Sequence, residues 1–173
     1  HDGFLQGVLV SPVPRSAIAL GKILGGTTLA LLQASLFLFL APLANTQINI
    51  ASVPLLLAVL VILAFALTSL GFVLAWMLDS TQGFHAIMNL LLFPMWLLSG
   101  AVFPASGAAG WIRGVMLVNP MSYGVSALRT VLTNPTIGTE TASISITRPL
   151  VFVATFGLVM LALSSWSVTH RRS

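Results

Sequence analysis

"PLLLAVLVILAFALTSLGFVLAWML", residues 54–78, runs for 25 residues without one charged side chain. As a helix it would be about 37 Å long, more than the roughly 30 Å of a bilayer's hydrocarbon core. Pro54 stands at its start, where proline gives up no needed hydrogen bond. The neighbourhood is equally bare of charge. Lys22 and Asp79 are separated by 56 uncharged residues, Asp79 and Arg113 by 33, and Arg148 and Arg171 by 22. Of the 173 residues, 57% are hydrophobic and 6% charged, with a mean hydropathy of +1.04. Water-soluble domains carry roughly 25% charged residues. The chain is therefore read as an integral membrane protein.

Working outward from residues 54–78 gives three more apolar runs. The first is "ILGGTTLALLQASLFLFLAPL", residues 23–43, with Lys22 at its edge, where its stem can lie in the interface. A short polar loop, "ANTQINIASV", joins it to residues 54–78. After the turn "DSTQG" comes "FHAIMNLLLFPMWLLSGAVF", residues 84–103, which Pro94 is expected to kink. The last is "PLVFVATFGLVMLALSSWSV", residues 149–168, closed by "THRRS". The expected fold is all-α, a polytopic transmembrane helix bundle with four spans.

Residues 104–148 fit no span. "GWIRGVMLV" is too short, and Asn119-Pro120 interrupts it. "MSYGVSALRTVL" then repeats apolar residues at Met121, Val125, Leu128 and Leu132, a helical stripe. A fifth crossing here would carry Arg113 or Arg129 into lipid at roughly 2.5–3.5 kcal/mol each. Two short helices dipping into the membrane or lying on it, over residues 104–132, cost less. "TNPTIGTETASISIT" reads as a polar loop with room for a short extended stretch near its end.

Four spans put both ends on one side, with Arg15, Lys22, Arg171 and Arg172 there and Arg113, Arg129 and Arg148 opposite. The three belong to or flank a long segment, where the positive-inside rule counts for less, so the termini are placed in the cytoplasm. Trp76 and Trp166 then fall at one membrane face. The net charge of +4 does not indicate nucleic acid, because the seven cations are scattered and no aromatic platform alternates with them. The chain begins at His1 and is read as a fragment or processed form.

The N-terminal stretch "DGFLQGVLVSPVPRSAIALGK" has its own logic. Phe4, Leu5, Val8 and Leu9 fall at helical spacing, on a segment too short to be stable alone in water. Pro12 and Pro14 end that helix, and Ser16 is expected to cap the next. A short helix, a stiff elbow and a span follow in order. Such a helix docks against a soluble partner or is a plain interfacial elbow.

"GFLQGVLVSPVPRSAIALGK" resembles the cytoplasmic loop of type-2 ATP-binding-cassette (ABC) exporter permeases, the group that includes drug-resistance and polysaccharide-export permeases. "FPMWLLSGAVFP" followed by "WIRGVMLVNPMSYGVSALR" resembles the same family's signature near its last two spans. The blocks stand in the family's order, over nearly the whole chain. The resemblance implies a single type-2 membrane domain over residues 1–173, with the family's first two spans absent. Residues 1–16 would be the coupling helix and elbow, contacting the ATPase through Phe4, Leu5, Val8, Leu9, Pro12, Pro14 and Arg15. Residues 104–132 would be the external re-entrant helices, with Asn119, Pro120, Tyr123 and Arg129 as the external motif. It also implies a separate ABC ATPase subunit that holds the ATP, a second permease copy in a homo- or heterodimer, and a bacterial inner-membrane location. Ser126 stands where an acidic residue is frequent, and Asp2 alone remains of a usual charged pair.

Other chemistries find little support. "LGKILGGTT" lacks the first glycine of a phosphate loop, Ser16 standing in its place, so no cofactor is expected in this chain. Ser99 is not preceded by a G-x-S motif. His1, His85 and His170 lack an i+4 histidine or carboxylate partner, so neither catalysis nor a metal is expected. There is no cysteine. Gln33, Thr28, Thr68 and Asn89 stand out among the few polar residues within spans. Gln33 and Asn89 suit interhelical hydrogen bonds or the lining of a pathway. Gly21 and Gly25, followed by Thr28, suit close helix approach within the chain or between copies. Two function classes remain: the permease subunit of an ATP-driven exporter of an amphipathic drug, lipid or polysaccharide, or a self-sufficient membrane protein, an ion-coupled carrier or a non-transporting scaffold.

Overall fold

The computed structural model describes residues 14–44, 48–78, 80–102, 107–133 and 140–170. Among the described residues six α-helices carry the fold: α1 (Arg15–Leu40), α2 (Val53–Met77), α3 (Thr81–Leu97), α4 (Gly110–Val118), α5 (Pro120–Thr133) and α6 (Glu140–His170). Short 310 turns, Ala41–Ala44 and Ile50–Ser52, extend α1 and lead into α2. No strand occurs among the described residues. Among the described residues three stretches are long and apolar enough to cross a membrane: Ser16–Leu43, Ile50–Met77 and Ile146–Thr169. The remaining expected span, residues 84–103, is represented by α3, a 17-residue helix about 26 Å long that contains Pro94.

α2 is the central helix, packing on α6, α1, α5 and α3. It is apolar on every side, as a helix surrounded by protein and lipid must be. Its direction relative to its neighbours follows from paired residues. Leu56 and Val59, near its start, share a core cluster with Ile146 and Leu150 of α6, Ala127 and Val131 of α5, and Leu38 of α1. Farther along, Ala66 lies against Gly157 of α6, and Thr68 against Gly26 of α1. α6 therefore runs parallel to α2, and α1 antiparallel to it. Trp76 and Trp166 end two parallel helices and lie at one end of the bundle, as expected.

Close approach is set by glycines with no side chain to hold neighbours apart. A Cβ on Gly157 would stand 3.2 Å from the Cα and Cβ of Ala66, backbone that has no room to yield. The expected small-residue pair behaves differently. Nothing lies within 4 Å of a Cβ built on Gly21 or Gly25, whereas one on Gly26 would meet the Thr68 methyl at 2.7 Å. Helix contact within the chain thus runs through Gly26, and Gly21 and Gly25 face outward.

Three local expectations are corrected. α1 starts at Arg15 rather than Ile23, because Pro14 (φ −59°, ψ 135°) stands at the N-cap and its carbonyl accepts the Ala17 N–H at 2.8 Å. Ser16 therefore lies inside the first turn and does not cap it. Lys22 consequently sits about two turns into the helix, on an exposed face. α6 starts at Glu140 rather than Pro149, so residues 140–148, read as the end of a polar loop, are helical. Ile146, buried against Leu56, Val59 and Val131, ties this lead turn to the core, and such packing outweighs the weak helix preference of its Ser and Thr residues.

α3 is the least embedded helix, with no buried residue. Ser80 caps its start by accepting the Gly83 N–H at 3.0 Å, and Met88 reaches Gly71 near the end of α2. It lies antiparallel to α2, and its far end meets α5.

Candidate functional site

The short helices α4 and α5 form a hairpin whose hinge is Asn119. α4 ends at Val118 and α5 begins at Pro120, the break expected from Asn119-Pro120. Proline suits the first position of α5 because that N–H is not needed there. Asn119 (φ −82°, ψ 113°) takes the extended backbone that precedes a proline. Its Oδ1 accepts the Met121 N–H at 3.0 Å, and its carbonyl accepts the Ser122 N–H at 3.1 Å.

The hairpin reaches deep. Val131 packs on Leu56 near the start of α2, and Gly124 faces Leu63, two turns farther along. A Cβ on Gly124 would come to 2.5 Å from the tip of Leu63, so any larger residue there obliges the Leu63 side chain to move. Asn119 and Pro120 share a cavity wall with Leu70. Leu63 and Leu70 stand about 15 and 25 Å along α2 from Val53, so the hinge lies level with a point about two thirds of the way along that helix.

One face of α5 is polar and meets the end of α3. Leu98 N–H bonds the Pro94 carbonyl and Ser99 N–H the Trp96 carbonyl, at 2.9 and 3.1 Å, so the last turn tightens. The Met95 carbonyl consequently loses its usual i+4 donor, and those beyond it lie past the helix end. Asn119 Nδ2 donates to Met95 O at 2.7 Å, Ser122 Oγ to Leu98 O at 3.2 Å, and Arg129 Nη2 to Gly100 O at 3.1 Å. Gly100 holds φ 85°, a left-handed conformation that closes a helix at little cost for glycine. The guanidinium adds positive charge where the helix dipole is negative. Ser99 is engaged locally, donating to Trp96 O at 2.6 Å.

Tyr123 ties the hairpin to α6. Its ring stacks on Phe152 with centroids 4.0 Å apart, and its hydroxyl donates to Leu117 O at 2.8 Å, closing the end of α4. Asn119, Pro120, Tyr123 and Arg129 thus share one structural unit. Ser122, Met95, Leu98 and Gly100 were not singled out from sequence. Ser122 carries a signal, since it falls on the Asn119–Arg129 face of α5 at helical spacing. The three backbone acceptors carry none.

The other candidates lie apart from this unit. Pro14 is the N-cap of α1, and Arg15 its first residue. Phe4, Leu5, Val8, Leu9 and Pro12 fall outside the described residues. Gln33 on α1 and Asn89 on α3 are both exposed and away from the core. Among the described residues no group of three or more His, Cys, Asp or Glu side chains is placed to hold a metal.

The chain is similar to the inner membrane transport permease YhhJ of Escherichia coli (strain K12), with 26% identity over 134 residues. The protein of the same name from Shigella flexneri matches equally. These matches cover 76% of this chain and 36% of either relative, so the chain corresponds to little more than a third of the relatives' length. No solved structure matches it. Residues 1–133, through the end of the α4–α5 hairpin, match the ABC-2 type transporter family. This integral membrane protein, a permease by family, belongs to the ABC-2 type transporters.

Proposed function

We propose that the chain is the membrane part of a permease subunit in an ATP-driven exporter, working with a separate ABC ATPase. The observation that carries this reading is the family match over residues 1–133, which takes in both the elbow and the hairpin. ATP binds to the partner, and this chain supplies the path and the mechanical link. Residues 1–16 dock on the ATPase, and Pro12 and Pro14 make the joint to α1 stiff. α3 supplies the remaining crossing, third in chain order: it starts where α2 ends, and Arg129, which holds the turn after it, lies two residues from Val131 at the opposite end. The termini face the cytoplasm, and the α4–α5 hairpin re-enters from outside. A second permease copy completes the pathway in a bacterial inner membrane, and the cargo is an amphipathic drug, a lipid or a polysaccharide.

Two paired substitutions test the link. Phe4→Ala with Leu5→Ala removes apolar contact without touching a span, and is expected to abolish copurification of the ATPase. Pro12→Gly with Pro14→Gly frees the backbone that proline fixes. It should preserve binding but uncouple ATP hydrolysis from export. Normal ATPase binding and export by both variants would sink the proposal and leave the elbow as an interfacial anchor.

A further inference from the structure

Beneath the hairpin hinge lies a cavity of about 400 Å³ with walls from four helices and the hinge itself. Leu70 of α2, Leu91 and Met95 of α3, Val118 of α4 and Phe156 of α6 line it, and Asn119 is its sole polar side chain. Both ends of that amide are engaged, Nδ2 with Met95 O and Oδ1 with Met121 N–H. The lining side chains therefore offer little polar capacity beyond what Asn119 already spends within the fold. Water in a buried site needs two to four polar partners, so this cavity is a poor home for it. It is equally unsuited to a headgroup or a sugar, whose polar groups would go unmatched.

Depth and shape narrow the occupant. The cavity lies beside Leu70, about 25 Å along α2 from Val53, far from the end marked by Ile50. At that depth a bilayer offers hydrocarbon. Val118, at 75% exposed, forms part of the rim, so the opening is itself apolar and faces away from the protein core. A water molecule takes up about 30 Å³ in the liquid and a methylene is of similar size, so the space accepts roughly a dozen methylenes. We propose that this cavity is a binding pocket for one hydrocarbon chain of a membrane phospholipid, wedged between α3 and the hairpin hinge. The pocket requires only that the chain sits in a bilayer, and it stands whether or not an ATPase drives transport. A chain in this place props the hinge against α3 and keeps the Asn119–Met95 hydrogen bond dry.

The test uses the full-length permease in phosphatidylethanolamine vesicles doped with a phospholipid carrying a photoactivatable diazirine midway along one acyl chain. Illumination is expected to label Met95 or Val118, and the same lipid with its diazirine on the headgroup is not. Mass spectrometry of the detergent-purified protein should also find one phospholipid retained per chain. Leu91→Trp, which fills the cavity, should lower that retention roughly tenfold. Leu32→Trp, on the exposed face of α1, should leave it unchanged. Absence of mid-chain labelling at these residues overturns the proposal, as does labelling by the headgroup probe. A photoreactive residue at Val118 that captures another protein segment, rather than lipid, overturns it as well.

Discussion

Asn119 donates its side-chain amide to the Met95 carbonyl at 2.7 Å, fastening the hinge of the α4–α5 hairpin to the last turn of α3. That carbonyl lacks its own helical donor because Ser99 N–H turns instead to Trp96 O. In a membrane no water is at hand to replace the missing partner. With Ser122 and Arg129, the contact makes α5 a polar clamp on a helix that buries none of its own residues. Coupling between α3 and the hairpin therefore passes through hydrogen bonds more than through apolar packing.

Asn119→Leu removes both the donor to Met95 and the acceptor that caps α5. A hydrogen bond in a membrane protein averages about 0.6 kcal/mol and a cap about 1 kcal/mol, so a loss of about 2 kcal/mol is expected. Asn119→Ser retains a capping oxygen but is too short to reach Met95, and should fall between the two. Thermal denaturation of the purified permease, followed by size exclusion, ranks the three proteins. If Asn119→Leu is as stable as wild type, the clamp contributes nothing.

Arg129→Glu sets a carboxylate against the Gly100 carbonyl and the negative end of α3. Assembly or export should suffer more than with Arg113→Glu on α4, since Arg129 is the one that holds the Gly100 carbonyl. Arg129→Lys keeps one donor and should be milder, at about 1 kcal/mol. Equal tolerance of both glutamate substitutions in a transport assay would reduce Arg129 to a surface residue.

Gly157→Val must push α6 away from the backbone of Ala66, an overpacking that costs about 1–3 kcal/mol. At Gly25, where a Cβ meets nothing, alanine should stabilise α1 by about 0.5–1 kcal/mol through lower chain entropy. The opposite signs are checked in one denaturation series. Destabilisation by Gly25→Ala would instead mean that a second helix covers that face in the assembled protein.

A cysteine-free background allows clean topology mapping. Thr139→Cys and Ser173→Cys should react with an impermeant maleimide from opposite sides of the membrane, Ser173→Cys from the cytoplasm. Reaction from the same side would remove one of the four crossings, or add a fifth.

What the sequence determined by itself was the solvent and the breaks. Long uncharged runs specify a bilayer because transfer energies add residue by residue, whatever the runs pack against. Asn119-Pro120 specifies a hinge because proline restricts both its own backbone and its predecessor's. Those effects are local and need no partner. The place of Arg129 on the helix that carries the Met121–Leu132 apolar stripe was legible too, though not the carbonyl it holds.

Tertiary structure decided the rest. Ser122 meets Leu98 across 24 residues of chain and Arg129 meets Gly100 across 29, and a backbone acceptor has no signature in the letter that carries it. The start of α6 at Glu140 depends on Ile146 finding a core built by α2 and α5. The outward turn of Gly25 and the inward turn of Gly26 depend on which face of α1 meets Thr68. Hydropathy is a sum over single residues and survives without the fold. Hydrogen-bond pairing and glycine contacts are properties of two distant segments, and they exist only once the helices have met.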